Sequence, residues 1–95
     1  MTSVILDEII FTHQEDAERV LEKMRLDILA ANEVRVYDYY EAAGASAREK
    51  DKEYGWIDLT GVIVQSTMKT HYIVSGLQEV EMGYIITLPM PVKLI

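Results

Sequence analysis

Four serines and two histidines, Ser3, Ser46, Ser66, Ser75, His13 and His71, are the residues from which a nucleophile and a base could be drawn. A Ser-His-acid triad also needs a strained turn that exposes the nucleophile, usually marked by flanking glycines. None of these serines has that setting. His13 falls in the first turn of a predicted helix and His71 opens a predicted strand, both positions where a solvated polar side chain is the ordinary occupant. Two adjacent carboxylate pairs, Asp7 with Glu8 and Glu15 with Asp16, do not converge. Neighbours in a strand point to opposite faces, and neighbours in a helix diverge by about 100°. Asp51, Glu53 and Asp58 are the nearest approach to a cation loop, but a calcium loop alternates oxygen ligands around a turn glycine, and Lys50 and Lys52 fill the gaps. The five glycines are scattered, with no phosphate-cradling cluster, and cysteine is absent. The expectation is a protein with no catalytic residues, no cofactor and no metal.

The elements that would position these side chains are legible in the hydrophobic pattern. Val4 to Phe11 reads as a short first strand. Thr12 followed three positions later by Glu15 is a capping-box signature, and Ala17, Val20, Leu21, Met24, Ile28 and Ala31 then keep one apolar stripe, predicting a helix over 14–31. Asn32 occupies a left-handed cap position. Val34, Val36, Tyr39, Tyr40 and Ala43 predict an extended entry and a short helix that stops at Gly44. Residues 45–53 hold small residues and an alternating-sign run, which reads as an exposed loop, and Tyr54, Gly55 and Trp56 return the chain to the core. From Gly61 onward β-branched and aromatic residues dominate. They predict strands over 62–67, 71–75 and 84–88 in an antiparallel meander, with Pro89 and Pro91 ending pairing and leaving an extended tail. The expected fold is α+β: a single domain over 1–95, with one long and one short helix packed on an antiparallel sheet of three to four strands.

With 95 residues there is room for one core, and 49% apolar content is enough to build it. The N-terminal residues lack a basic n-region and no apolar run approaches the ~20 residues of a membrane span, so a cytoplasmic protein with no membrane association is expected. The formal charge is -7. Residues 1–60 hold fourteen acidic and seven basic side chains and the remainder two of each, so the helical half carries all of it. Such a chain repels nucleic acid, and a basic protein surface is the partner it suits. The residues expected to meet that partner are Glu15, Glu18 and Glu22 on the helix, Glu49, Asp51 and Glu53 in the loop, and Tyr37 as an exposed aromatic.

Three stretches carry a resemblance: Phe11 to Leu21 with its Glu-Asp-Ala-Glu run, Val34-Arg-Val-Tyr-Asp-Tyr-Tyr-Glu-Ala-Ala-Gly44, and Asp51-Lys-Glu-Tyr-Gly-Trp-Ile-Asp-Leu-Thr-Gly61, with Gly83-Tyr84 and Leu88-Pro89-Met90-Pro91 nearer the end. Together they resemble a family of short uncharacterised phage and prophage proteins, most specifically in the Tyr54-Gly55-Trp56, Asp58-Leu59 signature. In that family the β hairpin after the signature is shorter, so Ser66 to Met82 reads as a local extension. The resemblance implies a role in a host bacterial cell. By analogy with anti-CRISPR and other anti-defence inhibitors, it implies a protein that binds and inhibits or redirects a bacterial host protein, such as a nucleic-acid-handling effector. The alternative is a virion or assembly component acting as a homo-oligomer through a sheet edge or the Pro-flanked tail.

Overall fold

The computed structural model describes residues 6–72 and 78–94. Helix α1 runs Gln14–Ala31 and α2 runs Val36–Ala43, joined by the two-residue strand β1, Val34–Arg35. A single 3-10 turn, Glu49–Lys52, leads into β2, Tyr54–Trp56, and the chain continues through β3, Val64–Tyr72, β4, Gln78–Ile86, and β5, Val92–Lys93. The fold is α+β, with two helices packed against antiparallel sheets. The strands divide into a three-stranded sheet in the order β1-β2-β5 and the β3-β4 hairpin.

The apolar stripe of α1 does what its spacing requires. Ala17, Val20, Leu21 and Met24 are buried against Val34, Val36, Tyr39, Tyr40 and Trp56, with Phe11, Leu59, Val62 and Ile86 closing the core from the hairpin side. Asn32 ends α1 in the left-handed region, φ 66°, and its N-H donates to the Ile28 carbonyl. Gly44 ends α2 in the same way at φ 77°.

The start of α1 departs from the expected capping box. His13, not Thr12, is the N-cap, and it makes no side-chain cap bond. The cause lies one element upstream: Phe11 exchanges two backbone hydrogen bonds with Tyr84, 2.8 and 2.9 Å, which fixes where the extended chain must end. Long-range pairing thus places the cap at His13, one residue later than the capping-box signal, while the helix itself spans the expected residues 14–31, and Glu15 and Asp16 complement the helix dipole. Of the expected strand over 4–11, residues 4 and 5 lie outside the described residues, and the rest contributes this one bridge.

Three further expectations for the C-terminal half are corrected, the first being the strand over 84–88, which ends sooner and starts earlier as β4, Gln78–Ile86, because residues 78–83 pair with β3. The predicted break at residues 68–70 does not occur, and β3 runs through it in unbroken register with β4, from Val64 opposite Ile86 to Tyr72 opposite Gln78. Met68-Lys69-Thr70 contains no glycine or proline to stop a strand. Of the predicted strand over 71–75, residues 71 and 72 end β3 and the others lie outside the described residues. The tail after Pro91 also pairs: β5 adds to β2 with Tyr54 opposite Lys93, and the Leu94 N-H donates to the Glu53 carbonyl.

This pairing explains the Tyr-Gly-Trp sequence. Gly55 is in the middle strand, opposite Arg35 on one side and Val92 on the other. A Cβ there would fall 2.0 Å from the Val34 carbonyl oxygen and 2.8 Å from the Arg35 Cα, so only glycine allows the strands to approach. Trp56 is 3% exposed, as expected from its return to the core. Its indole N-H donates to the Pro89 carbonyl at 2.8 Å, and its ring meets Tyr39 edge-on with centroids 6.0 Å apart.

Candidate functional site

Glu15, Glu18 and Glu22 follow one another at intervals of three and four, so a single flank of α1 presents all three carboxylates. That flank forms one wall of an open groove of about 750 Å3, which Tyr84 of β4 and His13 at the helix start also line. Tyr84 is half-buried and held in place by its backbone bonds to Phe11. Arg19 reaches the groove too, and its guanidinium is 3.4 Å from the Asp16 carboxylate. The three glutamates are exposed. Further along the same helix, Arg25 donates to the Val62 carbonyl at 2.7 Å, which clamps α1 across the base of the hairpin and keeps the groove wall in place. Chemically the site is an acidic, solvent-open cleft, suited to receive a cationic group.

The second expected surface, the charged run, is built differently. Residues 49–52 form a 3-10 turn rather than an irregular loop, and Asp51 is fully buried, with 0% of the residue accessible. Its Oδ2 accepts a hydrogen bond from the Arg48 N-H at 2.8 Å while its own N-H donates to the Arg48 carbonyl at 3.0 Å. The Arg48 Nε lies 3.6 Å from the same oxygen. Asp51 is therefore a structural cap and not a surface acid, which corrects its place among the partner-facing residues. A carboxylate three residues after the residue that enters a turn is the signal that marks it, and the regular charge alternation hides that signal.

Tyr37 is also corrected. It is half-buried, and the Lys52 ammonium lies 4.8 Å from its ring centroid. The same ammonium is 3.0 Å from Glu49, whose hydrogen bond and charge raise the lysine pKa above its ordinary value. Glu53 is half-buried beside the β2-β5 pairing. Of the seven expected contact residues, then, the groove joins Glu15, Glu18 and Glu22. Glu49 and Tyr37 share Lys52, Asp51 is internal, and Glu53 flanks the small sheet.

The buried phenols near the core respond to their surroundings. Burial pushes the Tyr39 pKa up to about 12, with the neighbouring Tyr40 and Glu8 adding to the rise. Tyr40 is raised as well, chiefly by burial, and its hydroxyl oxygen accepts from the Asp7 N-H at 2.9 Å. Asp58 is shifted down by hydrogen bonds from the Thr60 hydroxyl and N-H, at 2.6 and 2.9 Å, which tie it into the turn at Gly61. Among the described residues no group of three His, Cys, Asp or Glu side chains is placed to hold a metal ion, and no helix is long and apolar enough to cross a membrane.

Sequence reading missed the hairpin's exposed methionines. Met68 and Met82 oppose one another across β3-β4 and are 69% and 54% exposed, on the face that carries Val64 and Ile86 into the core. The two pairs lie four residues apart along the ribbon, which is an even step and so returns to the same face. Compared with known proteins, the chain matches no family model, no curated protein and no solved structure.

Proposed function

We propose that the chain is a non-enzymatic binding protein that uses the acidic flank of α1 to engage a basic surface of another protein. The observation that carries this reading is the convergence of Glu15, Glu18 and Glu22 on one open groove. The confinement of the whole net charge to residues 1–60 supports it, because a one-sided acidic field orients an approaching basic partner. The resemblance to short phage and prophage proteins supplies the context. In that context the partner is a bacterial host protein, of the kind whose Lys- and Arg-lined channel handles nucleic acid, and occupying that channel inhibits or redirects it.

The test is capture of host proteins on immobilised chain at low and high salt, in parallel with a Glu18→Lys/Glu22→Lys variant. A single protein retained at low salt, released as salt rises and lost with the variant is the expected result. Capture that ignores both salt and the substitutions refutes the acidic-groove reading. Asp51 is unsuitable for this purpose, since reversing its charge would disrupt the turn it caps.

A further inference from the structure

The outer edge of the hairpin is open. Tyr84 commits both its backbone N-H and its carbonyl to Phe11, so its pairing with Ser66 is of the non-hydrogen-bonded kind. The N-H and C=O of Ser66 consequently point away from β4, and by the two-residue repeat so do those of Val64 and Met68. None of these outward groups has a partner among the described residues. Native sheets blunt such edges with charge, proline or a bulge. The segment Val62 to Met68, Val-Ile-Val-Gln-Ser-Thr-Met, has no charge, no proline and no glycine.

The shape of the molecule adds to this. Its radius of gyration is 15.0 Å and its extents are 49 × 31 × 21 Å, whereas a chain of this length packs to a radius of about 12 Å when globular. A two-stranded ribbon is by itself marginally stable in water and gains from a further strand.

We propose that β3 pairs antiparallel with β3 of a second copy of this chain across a two-fold axis at Ser66. In that register Ser66 opposes its own counterpart and Val64 opposes Met68 of the second copy, so about six main-chain hydrogen bonds form between the outward groups. The exposed Met68 then lies beside a half-buried Val64, continuing the apolar face of one hairpin into the other. Charge selects the same arrangement. Residues 62–68 carry no charge, so along this edge two copies can pair strand to strand without setting like charges directly opposite one another. Position 69, the first charged residue along the edge, falls opposite Ile63 of the second copy, and no like charges oppose each other. The interface is isologous and closes at two copies. Its axis residue, Ser66, pairs with Tyr84, which lines the acidic groove, so the interface adjoins that groove while using none of its carboxylates.

The absence of cysteine makes the register directly testable. Opposed residues of a hydrogen-bonded antiparallel pair have Cα atoms ~5.5 Å apart, within disulfide reach, so Ser66→Cys is expected to yield a covalent dimer under mild oxidation. In Thr67→Cys the two Cα atoms are ~8 Å apart and no crosslink is expected. Sedimentation equilibrium of the unmodified chain is expected to show a concentration-dependent monomer-dimer equilibrium. Ser66→Pro removes only an N-H that the monomer leaves unpaired, so it is expected to weaken association at least about tenfold while the thermal melt of the monomer is retained. Ser66→Lys sets like charges on the axis, and its association is expected to recover with salt. Sedimentation as a monomer up to millimolar concentration overturns the proposal. So does crosslinking of Thr67→Cys as readily as Ser66→Cys.

Discussion

The acidic stretch Glu15 to Glu22 and the charged run Arg48 to Glu53 look alike as sequence: both interleave acids with bases, one in the first and three in the second, and lack large apolar residues at most positions. In the fold they part. On α1 the acids are on the outer flank because the helix turns Ala17, Val20 and Leu21 inward, leaving the other positions to solvent. In the charged run no apolar stripe exists to face the core, so a carboxylate goes inside instead and Asp51 holds the turn through the Arg48 N-H. The same side-chain chemistry is a surface in one place and a fastener in the other. What decides between them is whether the local backbone already satisfies its own hydrogen bonds, as a helix interior does and a single turn does not.

The largest effect is expected where the chain leaves the charged run and enters the core. Trp56 fills the space between the small sheet and α2 and ties down the Pro89 carbonyl. Trp56→Ala is expected to destabilise the chain by about 3 to 5 kcal/mol in denaturant unfolding. A loss below about 1 kcal/mol would mean that the ring contributes no more than a surface residue.

The neighbouring phenol gives a pH dependence of defined sign. Tyr39 titrates near 10 in an unfolded chain and at about 12 when folded. Above pH 10 the unfolded chain releases this proton and the folded one keeps it, so the contribution is fully present below pH 10 and is lost as pH rises through 12. Stability measured across that window is expected to fall, and Tyr39→Phe is expected to flatten the fall. An unchanged slope in the variant would assign the alkaline loss to other groups.

Asp51 comes next in size. Asp51→Ala leaves the part-buried Arg48 N-H without its acceptor and is expected to cost about 1 to 3 kcal/mol. Asp51→Asn keeps an oxygen for that bond and is expected to recover part of the loss. If the two variants unfold alike, the carboxylate's charge and not its hydrogen bond holds the turn.

How much of this was readable beforehand depended on whether the deciding interaction was local. The bounds of α1, the left-handed Asn32, the stop at Gly44 and the burial of Trp56 all follow from patterns within a few residues, and each is found where the pattern puts it. Apart from Asp51, whose cap on Arg48 is local but hidden by the charge alternation, and the unbroken 68–70 segment, the misplaced features involve partners distant in sequence. Phe11 is drawn to Tyr84 and shifts the helix cap, and Val92 is drawn to Gly55 and turns a tail into a strand. Lys52 reaches back over Tyr37, fifteen positions earlier in the chain, and covers an aromatic that the helix pattern leaves outward. The groove was half legible for the same reason: helical spacing aligns its three glutamates, but only the hairpin's docking brings Tyr84 opposite them.

His13 is where the shifted cap leaves room for improvement. It occupies the N-cap with extended backbone and no side-chain bond to the first turn. His13→Asp supplies an acceptor and a negative charge at the positive end of the helix, and is expected to stabilise by about 1 kcal/mol, read as a raised unfolding midpoint. No gain would show that the Phe11 bridge orients position 13 away from the first-turn N-H groups.

The smallest effect is expected from the acids that define the groove, and its smallness is the point. Glu18 and Glu22 are exposed, and neither takes part in an ion pair or side-chain hydrogen bond among the described residues. Glu18→Gln/Glu22→Gln is therefore expected to change unfolding free energy by no more than about 0.5 kcal/mol, while Asp51→Ala, which also removes acid from the sequence, costs several times that. A large loss from the glutamine pair would give the α1 flank a structural duty like that of Asp51 and erase the distinction between the two stretches. A negligible one leaves these carboxylates with no task inside the fold, so any loss of partner capture on their replacement is a loss of contact and not of structure.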